Sequence, residues 1–273
     1  MQSCASRAAG PPPDPEALAD LRRLSEQVRD EFTAQWNAAL EELTPGASPS
    51  ADAFAETGDV LLLNYPAELH EQQRTALLPR HTFLGSAVRE EASDEEVQAW
   101  LRQGSAPVVY VSLGSFLSAR SDVLARIADA LRGLDVRVAL ASGSTPRDLL
   151  GRLPSSWLVR EMLPQVTLLR HAALAISHGG NNSVTEALTA GVPLLVMPLS
   201  TDQFAGAAAI EQRALGEVLD PNSADPATIR AAVTRLLGPG GPRAAAQLLG
   251  ESLREVPGPR RAYEALVDAP AAH

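Results

Sequence analysis

Four apolar stretches, residues 108–111, 136–141, 172–176 and 194–197, alternate with stretches of helical periodicity. That alternation constrains the fold more than any other feature of the chain. Strands this apolar on both sides must be covered on both faces, so the pattern predicts an α/β fold: a parallel sheet with helices packed above and below it. In such a sheet a ligand binds beyond the carboxyl ends of the strands. Leu113-Gly114-Ser115 follows one strand and His178-Gly179-Gly180 follows another. Both loops are expected to open onto one crevice.

The second loop carries the most chemical information. Residues 177–183 read Ser-His-Gly-Gly-Asn-Asn-Ser and lead into a helix bearing Val184, Ala187 and Leu188, which Gly191 is placed to end. A strand, a glycine turn and a helix start present unpaired backbone N–H groups and roughly half a positive charge, which suits a diphosphate without any lysine. Glycine at the turn lets a ligand come close to the backbone. Lysine is in fact absent, all 23 basic residues other than histidine being arginine. A Walker-type phosphate loop, a pyridoxal Schiff base and a protein-kinase strand lysine are therefore excluded. The Gly-x-Ser-x-Gly elbow of a serine hydrolase is also missing.

At 273 residues the chain is long enough for one full domain and part of another. A net charge of -10 argues against a broad nucleic-acid or anionic-membrane surface. No apolar run approaches the roughly 20 residues of a membrane span, and residues 1–13 lack the apolar stretch of a signal peptide. The single cysteine, Cys4, excludes an intrachain disulfide and fits a cytoplasmic location. Near the amino end, Asp14-Pro15 starts a long amphipathic helix with Leu18, Leu21, Leu24, Val28, Phe32, Trp36 and Leu40 on one stripe. The Pro/Ser/Ala-rich segment 44–53 is expected to offer that stripe no partner. Short strands follow at 60–63 and 82–84, and Ser93 with Glu96 reads as a capping box for a helix that Gly104 ends.

Taken together, Met162-Leu163-Pro164-Gln165, Leu169-Arg170-His171, residues 177–183, Glu186, Gly191-Val192-Pro193, Pro198 and Asp202-Gln203 resemble the donor-site signature of the nucleotide-sugar-dependent glycosyltransferases of the two-domain GT-B fold, the UDP-glycosyltransferase family. The resemblance covers about the C-terminal two thirds of the chain in matching order and spacing. It implies a Rossmann-like donor-binding domain over residues 106–273, a linker over 89–105, and a mainly helical remnant of the acceptor-side domain over 1–88. It also implies site roles. Met162 and Gln165 face the nucleobase, and His178, Gly180, Asn182 and Ser183 hold the diphosphate, with Ser115 as a second phosphate-side contact. Glu186 accepts hydrogen bonds from the ribose, and Asp202 and Gln203 grip the transferred sugar.

Two departures from the family's pattern stand out. Relatives often place an aromatic ring where this chain has Met162, so uracil and thymine both stay open. The histidine that deprotonates the acceptor lies in the family's N-terminal domain, and none of His70, His81, His171 or His273 matches its position, so the catalytic residues are unassigned. The expected activity is inverting, metal-independent transfer of a hexose from a UDP- or dTDP-sugar to a small-molecule acceptor. No cofactor is expected beyond the donor substrate. The alternative is a non-catalytic nucleotide-sugar-binding module or auxiliary subunit, working with an acceptor-domain partner chain or as a homo-oligomer.

Overall fold

The structure, a computed structural model, describes residues 15–114, 120–200 and 202–268. The chain divides into two compact units, Met1–Gly58 and Asp59–His273. In the first, α1 (Pro15–Leu43) runs for 29 residues. The segment after it folds back along the helix and the chain meets the apolar stripe at Phe32, while Leu21, Leu24, Val28 and Trp36 stay exposed. Asn37 exchanges two hydrogen bonds with the Ser50 backbone, donating to its carbonyl at 2.9 Å and accepting from its N–H at 2.8 Å. Thr33 Oγ1 accepts from Ala53 N–H, and Phe54 stacks on Phe32 with ring centroids 4.6 Å apart. Polar side chains on the helix thus satisfy backbone groups that a proline- and serine-rich segment cannot satisfy for itself.

The second unit opens with β1 (Leu61–Leu63), α2 (Gln72–Thr75) and β2 (His81–Phe83), the two strands forming a small parallel pair. Next comes α3 (Glu95–Leu101), whose N-cap is Asp94 accepting from Val97 N–H at 3.1 Å. The cap falls one residue beyond the expected Ser93. Asp94 reaches both the helix amide and the Arg160 guanidinium, at 2.7 Å, and a serine cannot draw on that ion pair.

The main sheet is built from β3 (Val108–Ser112), β4 (Arg137–Ala141), β5 (Leu158–Arg160), β6 (Ala172–Ser177), β7 (Leu194–Val196) and β8 (Gly216–Val218). All its pairings are parallel and its order is β5-β4-β3-β6-β7-β8. Side chains alternate along each strand between two buried layers. Tyr110 and Ala139 point into one, where Trp100, Leu168, Leu188, Ile210 and Leu253 also lie. Val109, Val111, Val138 and Leu140 point into the other, against Leu124, Ile127, Ile229 and Val233. The first layer is covered by α3, α5 (Gln165–Leu169), α6 (Asn181–Thr189), α7 (Gln203–Gln212) and α9 (Arg243–Glu255). The second is covered by α4 (Ser121–Leu131) and α8 (Pro226–Leu237), while α10 (Gly258–Val267) returns to pack on β2. The sequence-based expectation of an α/β sheet covered on both faces is met.

Glycine fixes the far end of α6. Gly191, at φ +73°, follows the helix, and a Cβ there would sit 3.2 Å from Gln247 Cα. A Cβ on Gly250 would sit 2.6 Å from the Leu188 carbonyl oxygen, so α9 crosses α6 backbone to backbone. Ile176, fully buried at the end of β6, tests how far the sheet governs stability. Ile176→Ala should lower the unfolding free energy by about 2–5 kcal/mol through lost burial and a residual cavity. Urea unfolding of the wild-type and variant chains measures it.

Candidate functional site

The chain leaves β3, builds outward through β4 and β5, then returns to place β6 on the other side of β3. The connections after β3 and β6 therefore run in opposite directions, opening a crevice at the carboxyl ends of those two strands. The His178 imidazole sits in it. A Cβ on Gly114 would lie 2.9 Å from His178 Cε1, and one on Gly180 would lie 2.6 Å from His178 Nε2. These glycines therefore make room for the histidine ring, a role beyond the backbone access expected from sequence. Gly179 adopts φ +89°, and a Cβ there would meet Val196 Cγ1 at 2.7 Å, so no other residue type fits the turn.

Gly180 is the N-cap of α6 and no side chain caps the helix. The first intrahelical bond runs from Val184 N–H to the Gly180 carbonyl at 3.0 Å. The amides of Asn181, Asn182 and Ser183 thus lie ahead of the helical ladder, pointing out of the helix start. Asn182 Oδ1 accepts from Asn64 Nδ2 at 3.4 Å, and Thr185 Oγ1 donates to the Asn64 carbonyl, tying the loop after β1 to this helix. Burial lowers the pKa of His178 below its ordinary value, opposed by the charge of Asp202. The ring is therefore neutral at pH 7.

The remaining residues singled out by sequence fall into three groups. Glu186 and Gln165 meet in a buried cluster: Gln165 Nε2 donates to Glu186 Oε2 at 2.5 Å, Tyr110 Oη donates to Gln165 Oε1 at 3.2 Å, and Arg89 Nη1 donates to Glu186 Oε1. The side-chain amide of Gln165, the residue expected at the nucleobase, is thus engaged by Glu186 and Tyr110. Asp202 and Gln203 stand at the start of α7. Gln203 is buried, its Oε1 accepting from Leu199 and Ser200 N–H at 2.8 and 3.1 Å and its Nε2 donating to Ser200 Oγ. That amide shapes its own loop, and Asp202 is the exposed member of the pair. Met162, 69% exposed, stands past the end of β5 at the sheet's edge. Ser115 lies outside the described residues.

Arg89, Glu91 and Tyr110 were not singled out from sequence. Tyr110 left one visible signal, a lone aromatic hydroxyl in an aliphatic strand. Among the described residues no group of three His, Cys, Asp or Glu side chains is arranged to hold a metal ion, and no helix is long and apolar enough to cross a membrane.

Residues 28–238 match the sequence profile of the family described as UDP-glucoronosyl and UDP-glucosyl transferase, and the chain belongs to that family. It is 27% identical over 219 residues to the NDP-glycosyltransferase YjiC of Bacillus licheniformis, covering 80% of this chain and 55% of that protein. Among solved structures, the calicheamicin glycosyltransferase CalG4 is 26% identical with a TM-score of 0.67, covering 84% of this chain and 57% of that one. The glycosyltransferase of kitacinnamycin, 24% identical, superimposes with a TM-score of 0.71 over 92% of this chain and 66% of that one. The fold is that of the GT-B glycosyltransferases. The chain spans about half the length of the curated relatives it matches.

Burial raises the pKa of Glu186 above its ordinary value, against the lowering influence of Gln165 and Arg89. The folded state therefore holds this proton to higher pH than the unfolded state does. The stability linked to it is full below the ordinary carboxylate pKa and is lost as pH rises through the folded value. Replacing Glu186 with Gln removes the titration. The unfolding free energy of wild type relative to Glu186→Gln should therefore fall as pH rises above about 4, the ordinary carboxylate pKa, and level off beyond the folded-state value. Urea melts at several pH values measure the slope, and a rising difference would mean that the Arg89 pair outweighs burial.

Proposed function

We propose that this chain carries the donor-binding half of a glycosyltransferase that moves a hexose from a UDP- or dTDP-sugar to a small-molecule acceptor. The observation that carries the reading is the uncapped start of α6 at the crevice between β3 and β6, with His178 over the glycine turns and Glu186 one helical turn further along. A diphosphate there meets the amides of residues 181–183 and the positive end of the helix. Glu186 then lies within reach of the ribose, and the exposed Met162 gives the base a thioether surface to rest on.

The chemistry follows from that placement. An acceptor hydroxyl, giving up its proton to a base supplied from the acceptor side, attacks the anomeric carbon from the face opposite the diphosphate, the new C–O bond forming as the bond to the diphosphate breaks, so the configuration inverts. The electron pair passes to the departing phosphate oxygen, where the α6 amides and His178 stabilise the developing charge. This part of the reaction asks for no metal. Gln203 acts at one remove, by shaping the loop that presents Asp202 to the sugar.

A second reading, donor binding without transfer by this chain alone, is favoured by the other described histidines. His70 Nδ1 is paired with Thr75 Oγ1 at 2.7 Å, His81 Nδ1 lies 2.8 Å from the Pro79 carbonyl, and His171 lines a cavity beside Val108 and Arg137, at the amino ends of the strands. None of the three stands at the crevice as a base for an acceptor hydroxyl.

Both readings require nucleotide binding, and their difference is read from sugar release. UDP or dTDP should bind in calorimetry, and Glu186→Ala should weaken that binding by about 1–3 kcal/mol through loss of the ribose hydrogen bonds. The bound diphosphate should also raise the pKa of His178 relative to the free protein, an effect followed by the ring proton shifts in an NMR titration. A folded sample with no affinity for either nucleotide, or a His178 titration indifferent to nucleotide, overturns the assignment. Sugar transfer to a panel of small acceptors selects the first reading, and binding without transfer the second.

A further inference from the structure

Glu186 is held by more than a helix face. Its side chain is 6% exposed, yet its carboxylate meets donors on both oxygens: Arg89 Nη1 at Oε1 and Gln165 Nε2 at Oε2. The other arm of Arg89, Nη2, donates to Glu91 Oε1 at 3.0 Å. Glu91 in turn accepts from the backbone N–H groups of Val166 and Thr167 at 3.1 and 2.9 Å, in the first turn of α5, the element that carries Gln165. The result is a closed ring running Arg89, Glu91, α5, Gln165, Glu186 and back to Arg89. Tyr110 braces Gln165 from β3.

The count of lone pairs gives the ring a purpose. An ionised carboxylate has about four acceptor sites, and the two donors above occupy one on each oxygen. One further site remains on each oxygen, and two adjacent acceptors match the vicinal hydroxyls of a ribose. A carboxylate this buried is costly to keep ionised unless a cation faces it. Among the described residues the charged and titratable groups around it are Arg89, Glu91 and Tyr110, and Arg89 is the cation of the three. Its guanidinium forks between two carboxylates, so it both offsets their repulsion and fixes where Glu186 points.

We infer that Arg89 is a positioning residue for nucleotide recognition, holding Glu186 ionised and oriented so that it accepts the hydroxyls of the nucleotide's pentose, the vicinal pair where that pentose is ribose and the 3′ hydroxyl where it is deoxyribose. The inference rests on the donor-site reading above and adds a residue that touches no part of the donor. Without Arg89, Glu186 would bind its proton at higher pH. Ribose recognition would then fail as pH falls, beginning nearer neutrality than in the wild type.

The test compares the ribonucleoside diphosphate of whichever base, uracil or thymine, binds more tightly with the 2′,3′-dideoxy form of the same nucleotide. Wild-type chain and Arg89→Met are titrated by calorimetry between about pH 6 and pH 8. Wild type should prefer the hydroxylated nucleotide about tenfold with little change across the range. In Arg89→Met that preference should shrink towards unity as pH falls, while affinity for the dideoxy form stays within about twofold of wild type. An unaltered preference and pH profile in the variant overturns the inference. So does an equal loss of affinity for both nucleotides, which marks a general structural effect. A wild-type chain that binds both forms equally well removes Glu186 from the ribose and overturns the reading beneath. Arg89→Gln, neutral but still able to hydrogen-bond, is titrated in the same way and decides the matter if Arg89→Met does not fold.

Discussion

The structure depends on β3 and β6 lying side by side while their outgoing connections diverge. Parallel pairing aims both strands at the same edge of the sheet, and divergence keeps that edge from being closed by a crossover. The rest of the site follows from that gap. It gives the His178 ring somewhere to sit, leaves Asn181 and Asn182 exposed at the start of α6, and brings the loop before α7 within electrostatic range of the same imidazole. The aliphatic layers on either face hold β3 and β6 in place, so packing energy is what keeps the polar groups at this edge apart.

A second constraint is the buried carboxyl group of Glu186. An acidic side chain with 6% exposure adds no net stability by itself, because desolvation works against it and ion pairing offsets only part of that loss. The fold carries this burden on the segment between the two sheets, through Arg89 and Glu91, and on the first turn of α5. A segment that sequence alone assigns to a linker is in this way tied to β3, α5 and α6 through one hydrogen-bonded network.

Much of this was legible in the sequence, and the exceptions have physical causes. The strands β3, β4, β6 and β7 stood out because burial on both faces leaves a continuous apolar run. Strands β5 and β8 did not. Leu158–Arg160 and Gly216–Val218 are three residues each, one closing on an arginine and the other built from glycine and glutamate, and pairing with β4 and β7 makes strands of them. The turn and helix start from Ser177 to Ser183 was readable because glycine spacing and helical periodicity are local. The directions of Gln165 and Gln203 were not, because spacing places a residue on an element without showing where its amide turns. The Arg89–Glu186 contact joins residues 97 positions apart, a separation at which no local pattern carries information.

The crossing of α9 over the far end of α6 has a mechanical meaning. Gly191 and Gly250 bring two backbones together at a point with no room for a methyl group, and that point acts as a fulcrum for a rigid rod whose opposite tip bears the backbone amides of residues 181–183. Nine residues of helix make a lever about 13 Å long, on which a tilt of about 5° swings the tip by about 1 Å, enough to misalign a hydrogen bond. Substitutions at this remote hinge should therefore behave like lesions in the crevice itself.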